Sequence, residues 1–281
     1  MHKDDAEMNT QIQQENNPAE PPHVAPLGHL NHPALAGFPL TTLASGRVVG
    51  EFFNARLASV FQPIVDAGTS ATLGHHGYLR VASADGDALA PWSVFAQAAD
   101  NHTLVKLDRL TRSLHALNYF HQAPATHKLF VNIEHRLLTT VANEHGLVFE
   151  SILQQLDIKP ERVVISLPNE ALSNAALLVR SILSYRNRGY GVMIHVKGFG
   201  DPALGRLFLA EPHYVQIDLP ASDNLALVEP FIRNLKRAGY QLVARKVETP
   251  AQRKLARDLG FDLLQGYAIG HPQVSITGGT A

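Results

Sequence analysis

One closed α/β barrel is the fold class the sequence predicts, on three observations. Short β-branched runs alternate with segments of helical periodicity and short loops, the pattern of a parallel sheet covered by helices. About eight such strands fall within some 220 residues, enough to close into a (β/α)8 barrel of the TIM type. With 45% apolar residues among 281, the chain can bury one large core in a single domain.

Taken in order, residues 1–45 are rich in Asn, Gln, Glu, His and Ala, with Pro18, Pro21, Pro22, Pro26, Pro33 and Pro39 scattered among them. Too little apolar surface is present to offset the entropy of ordering, so a disordered tail is expected, followed by a barrel domain over 46–281. His23, His29 and His32 are irregularly spaced without an acidic or Cys partner, which argues against a metal site. Residues 58–65 and 77–82 read as the first two strands, with Gly68 and Thr69 turning the chain between them. Pro91-Trp92-Ser93 starts a helix. Residues 103–120 form the clearest one, with Leu104, Leu107, Leu110, Leu114, Leu117 and Phe120 at three- and four-residue steps.

Strands then follow at 128–133, 163–167, 192–196, 213–219, 241–244 and 263–267, separated by helices at 146–156, 172–188, 222–238 and 250–259. The stretch Met193-Ile194-His195-Val196-Lys197-Gly198-Phe199-Gly200-Asp201 is a buried strand running into a Gly-flanked turn, the place where a barrel puts its chemistry. Lys197 is the cation placed there.

The charges nearly cancel, 24 Lys and Arg against 25 Asp and Glu, so no global field draws the protein towards nucleic acid or an acidic membrane. The lack of cysteine excludes thiolate and disulfide chemistry and fits a reducing compartment. The polar, acidic start is unlike a signal peptide, and no apolar run approaches the roughly 18 residues of a membrane span. A soluble cytoplasmic protein is expected, with neither nucleic acid nor membrane as partner.

Six of the strands carry recognisable strings: Gln62-Pro63-Ile64, Leu79-Arg80, Val131-Asn132-Ile133, Ile217-Asp218, Val247-Glu248-Thr249, and Gln265-Gly266-Tyr267 with Gly270 and Pro272 beyond. In this order the chain resembles the EAL domain, the barrel family of cyclic di-GMP phosphodiesterases, over about residues 60–272. Active members of that family hold two divalent cations with carboxylates and an Asn, and the cations activate a water against one phosphodiester. Hard dications need such anionic oxygen ligands.

The resemblance implies that this set is depleted here. His76-Gly77-Tyr78 stands in place of the Glu-Ala-Leu string, Ser166 and Asn169 in place of two glutamates, Lys197-Gly198 in place of paired aspartates, Gln216 in place of a lysine, and Arg245 in place of a glutamate. Asn132, Asp218, Glu248 and Gln265 still match. Lys197 and Arg245 would bring cations to where metals belong, and two like charges near 4 Å at an effective dielectric of about 20 repel by about 4 kcal/mol.

The resemblance therefore implies a degenerate, catalytically inactive EAL barrel of bacterial cyclic di-GMP signalling, with no bound metal or cofactor, that acts by binding. It is either a module for a regulatory protein partner, favoured by the replacement of three pocket features with larger or cationic groups, or a receptor that does not hydrolyse cyclic di-GMP. The alternative is a residual phosphodiesterase yielding linear pGpG. Homodimerisation carries over by resemblance alone.

The candidate cleft comprises Gln62, Tyr78, Arg80, Asn132, Lys197, Asp218, Arg245 and Gln265. Arg80 matches a dinucleotide-contacting arginine, its plain alternative being a rim ion pair. Tyr78 either stacks a guanine or fills the cleft. Lys197 and Arg245 either hold a phosphate directly or pair with Asp218, Glu248 or Glu170. His75 and His76, adjacent on a strand, point to opposite faces and cannot share one ion.

Overall fold

The computed structural model describes residue 37 and residues 39–140, 146–197, 202–219 and 225–276. Its strands are β1 (Leu40–Thr42), β2 (Val48–Phe52), β3 (Ala55–Asp66), β4 (Thr72–Ser83), β5 (Ala88–Leu89), β6 (Lys128–Asn132), β7 (Val163–Leu167), β8 (Gly191–Val196), β9 (Tyr214–Asp218), β10 (Gln241–Arg245) and β11 (Leu263–Leu264). Its helices are α1 (Pro91–Gln97), α2 (Asn101–Phe120), α3 (His135–Thr140), α4 (Leu147–Gln155), α5 (Ala175–Arg186), α6 (Leu207–Ala210), α7 (Leu225–Arg237) and α8 (Pro250–Asp258). The order β3-β11-β10-β9-β8-β7-β6-β4, with β3 also paired to β4, closes an eight-stranded barrel, and β1, β2 and β5 extend it as side arms.

The expectation of a parallel sheet needs correction at one place. β3 runs antiparallel to both β4 and β11, because the turn 67–71 is far too short for the crossover of a dozen or more residues that parallel neighbours require. Asp66 shapes that turn, its Oδ1 accepting from the Gly68 and Thr69 amides at 3.0 and 2.7 Å and from Thr69 Oγ1 at 2.9 Å. The remaining barrel pairings, from β4 through β6 to β11, are parallel.

The first described strand, β1, falls inside the segment expected to be a tail, and residues 1–36 and 38 lie outside the described residues. β2 is fastened to α2 by Asn118, whose side chain accepts from the Val48 amide and donates to the Val48 carbonyl, both at 2.8 Å. The helix itself is capped by Asp100, which accepts from the Thr103 amide at 2.9 Å, and it buries Leu104, Leu107, Leu110 and Leu114 against the outer face of the barrel. That outer layer is the main core. Each fully buried leucine removes enough apolar area from water to contribute about 1.5–3 kcal/mol.

A second, smaller core fills the barrel itself. Ile64, Phe130, Val164, Met193, Tyr214, Val243 and Leu263 pack together there, all buried. They form a floor, one residue from each of seven strands. Gly74 completes this level on β4, where a Cβ would come within 2.0 Å of the Lys128 carbonyl oxygen. Only glycine lets β4 approach β6 so closely. No helix among the described residues is long and apolar enough to cross a membrane.

Candidate functional site

Side chains two residues beyond the floor share its inward face, since a strand alternates with period two. That step replaces the apolar floor by a polar layer: Gln62, His76, Asn132, Ser166, His195, Gln216, Arg245 and Gln265. All of them sit towards the carboxyl ends of the parallel strands, the end at which barrels place their chemistry. Tyr78, Lys197 and Asp218 stand one further step up.

One half of the layer is a neutral, fully linked network. Gln216 Nε2 donates to Gln265 Oε1 at 2.7 Å, and Gln265 Nε2 donates to Gln62 Oε1 at 3.1 Å and to the Tyr78 hydroxyl at 3.0 Å. Gln62 Nε2 donates in turn to the Gly270 carbonyl at 3.0 Å. Because Gln62, Gln216 and Gln265 are buried, each bond removed would strand a partner at a desolvation cost of about 1–3 kcal/mol. Tyr78 lies flat against His76, ring centroids 4.8 Å apart. Burial raises its hydroxyl above the usual tyrosine range, against the opposing pull of Arg245 and Gln265.

His76 bonds through Nε2 to Asn132 Oδ1 at 3.0 Å. Burial pushes its imidazole down to about 4, with the Asn132 bond opposing the shift, so the ring is neutral at pH 7. His75 faces the other way and meets the Tyr119 hydroxyl on α2 at 3.1 Å, as strand alternation requires.

The other half is charged and centred on Asp218. Its Oδ1 lies 3.0 Å from His195 Nε2 and 3.2 Å from Arg245 Nη1, and its Oδ2 lies 2.8 Å from Lys246 Nζ. Burial alone would raise the Asp218 carboxyl, but the hydrogen bonds from His195 and Lys246 and the charge of Arg245 outweigh it and hold the group far below the usual carboxylate range. Arg245 Nη1 is also 3.0 Å from His195 Nε2. That nitrogen faces a donor and an acceptor together and serves one at a time.

Lys246 reaches this cluster through an unusual backbone. Its φ is +62°, a left-handed conformation that costs a residue bearing a Cβ about 1–2 kcal/mol. The geometry is imposed by tight packing of the neighbouring turn, where Val247 N donates to the Gln265 carbonyl at 3.1 Å and Ala268 N to the Val247 carbonyl at 2.9 Å. Gly266, φ +155°, permits that approach, since a Cβ there would lie 2.2 Å from Val247 O. A capping box holds the following residues: Gln252 N donates to Thr249 Oγ1 at 3.2 Å, and Thr249 N and Glu248 N donate to Gln252 Oε1. The Lys246 side chain is 56% exposed, and an ion pair so exposed contributes about 0–1 kcal/mol. It does not offset the backbone strain.

The structure thus joins Gln62, Tyr78 and Gln265 in one network and Asp218 and Arg245 in another, with Asn132 tied to His76. Lys197 is on the rim, its Nζ 3.0 Å from Glu170 Oε1 and its amide donating to Asn169 Oδ1 at 3.1 Å. Arg80 shares the face of His76 and Tyr78, opposite Ala58 on β3. Gly198, Phe199, Gly200 and Asp201 lie outside the described residues.

Sequence reasoning passed over His195 and Lys246. His195 could have been found, because it lies two residues before Lys197 on the same strand face. Lys246 could not, since alternation after Arg245 points it outward and only the left-handed turn returns it to the mouth.

The chain matches the EAL domain family over residues 49–272. It is 29% identical over 130 residues to a protein named probable cyclic di-GMP phosphodiesterase PdeA from Escherichia coli K12, a match covering 43% of this chain and 18% of that protein. The chain therefore spans less than a fifth of that relative's length.

Among solved structures it superposes on the PaMucR phosphodiesterase in complex with cyclic di-GMP with a TM-score of 0.68 and 21% identity, covering 77% of this chain and 92% of that one. Klebsiella pneumoniae BlrP1 with calcium and cyclic di-GMP gives 0.66 and 20%, covering 77% and 56%. Bacillus subtilis YkuI, with an EAL domain and in complex with cyclic di-GMP and calcium, gives 0.65 and 21%, covering 79% and 56%. At these identities the structural likeness establishes the fold.

Proposed function

The chain belongs to the EAL domain family, and from that premise we propose that it is a cyclic di-GMP signalling protein that binds the dinucleotide at the barrel mouth without hydrolysing it. The observation that carries this reading is the state of Asp218. Both of its oxygens are engaged by cationic or hydrogen-bonding groups of the protein itself: His195 and Arg245 on Oδ1, Lys246 on Oδ2.

A pair of divalent cations needs several anionic oxygens at one place. In the polar layer, Ser166, His195, Gln216 and Gln265 carry no anionic oxygen, Arg245 is a cation, and Asn132 Oδ1 is committed to His76. This donor set does not fit a divalent metal, and no step of a reaction is routed through one.

What the mouth offers instead is positive charge on Arg245, Lys246 and Lys197, suited to phosphate oxygens, with Tyr267 and His271 stacked at 4.5 Å on the rim as a flat surface of the kind on which a base stacks. Tyr78 stacks along His76, and its hydroxyl reaches over to accept from Gln265 Nε2. The cations and the stacked rim pair favour the receptor over a module that recognises only a protein.

The test is formation of linear pGpG from cyclic di-GMP in the presence of Mg²⁺ and of Mn²⁺. The reading expects none. Turnover that chelator and Asn132→Ala both abolish would refute it and establish the phosphodiesterase.

A further inference from the structure

Lys246 occupies the one left-handed, non-glycine position at the barrel mouth among the described residues. The other such positions, Phe53, Ser70, Asp157 and Glu211, lie in the β2-β3 and β3-β4 turns and just after α4 and α6. A glycine would take this conformation without strain, and the exposed ion pair to Asp218 returns less than the left-handed backbone costs. Stability does not account for a lysine here.

The geometry of Asp218 does point to a use. Its two oxygens are divided: Oδ1 is held by His195 and Arg245, both largely shielded, whereas Oδ2 is held by Lys246, more than half exposed. Lys246 can therefore leave Oδ2 to water while the Oδ1 contacts keep the carboxylate and Arg245 in place. The result is a fixed pair beneath and a releasable cation above, on a rigid backbone fastened by the Val247 and Ala268 hydrogen bonds and the Thr249 capping box.

We propose that Lys246 is a phosphate-contacting residue of the mouth, and that Asp218 Oδ2 is the resident anion it exchanges for a phosphodiester oxygen of the bound cyclic dinucleotide. One monoanion replaces another beside the same ammonium, so no charge is stranded by the exchange. Arg245, anchored by Asp218 Oδ1, is the positioning residue that keeps the carboxylate from following Lys246. This inference rests on the binding reading above.

Calorimetric titration of the full chain with cyclic di-GMP, alongside thermal melts, tests it on wild type, Lys246→Gly and Lys246→Arg. Lys246→Gly is expected to melt at the wild-type temperature or higher, because glycine relieves the backbone, and yet to bind at least about tenfold more weakly through loss of a charge-assisted contact. Lys246→Arg, which keeps the charge, is expected to restore affinity to within about threefold. Wild-type affinity in Lys246→Gly would overturn the inference and leave the receptor reading intact. A melt several degrees lower in Lys246→Gly would overturn it too, showing the lysine to be structural. Conversion of the titrant to pGpG would sink the receptor reading alone, and absence of wild-type binding would sink both.

Discussion

The floor of the barrel and the polar layer above it are built by the same strands, two residues apart, and they answer to different demands. On the floor, Phe130, Val164, Met193, Val243 and Leu263 are interchangeable in kind, since apolar groups of suitable volume close a barrel. In the layer, Asn132, His195, Arg245 and Gln265 follow two residues later on those strands and are bound by specific partners. The fold is therefore secured below the level at which chemistry is decided, and the upper level can change its charge without loss of the barrel.

The largest effect expected from breaking this arrangement is on the floor. Phe130 is fully buried, with its ring 5.6 Å from that of Tyr214, and Phe130→Ala is expected to destabilise by about 3–5 kcal/mol in urea unfolding. A loss below about 1 kcal/mol would show that the barrel interior does not depend on its floor.

The neutral half of the layer comes next. Gln265→Leu keeps the volume but leaves Gln216 Nε2 and Gln62 Oε1 without their partner, and removes the bond to Tyr78. A destabilisation of about 1–3 kcal/mol is expected from the same unfolding measurement, and an unchanged midpoint would mean that the glutamines are solvated individually.

The smallest effect concerns pH. His76 titrates near 4 in the folded protein, against about 6.5 when unfolded. Its folded pKa is depressed, so the unfolded state binds more protons between these values. Its contribution is complete above pH 6.5 and disappears as pH falls towards 4, amounting to about 1 kcal/mol lost at pH 5.5. His76→Gln is expected to lessen the fall in urea-unfolding free energy between pH 7 and 5.5 by that amount, leaving the share of the buried His75 and His115. An unaltered slope would mean that His76 is not shielded from water.

Much of this organisation was legible in the sequence, and the gaps have physical reasons. The parallel strands show as β-branched runs because they are buried on both faces. The side arms escaped because β1 and β5 are too short to display a period, and β1 follows directly on a segment of low hydrophobicity. The antiparallel start was hinted at by Gly68 and Thr69, but strand direction follows from loop length, which required knowing where β3 ends. The tight turn after β10 shortened β11 to Leu263–Leu264, whereas the apolar run alone suggested a strand to 267.

Within the site, period-two alternation correctly separates His75 from His76 and aligns Lys197 with His195. It fails at Lys246, where one positive φ reverses the side chain. The pairing of Lys197 with Glu170 and of Arg245 with Asp218 was among the alternatives the residues offered. Selecting between them required the register that sets Arg245 beside Asp218 on neighbouring strands.

The most direct measurement of the central claim is the chemical state of the dinucleotide in the bound fraction. With protein in excess over cyclic di-GMP and Mn²⁺ present, the nucleotide recovered from the complex after denaturation is expected to be intact cyclic di-GMP. Recovery of pGpG from that fraction would contradict the account.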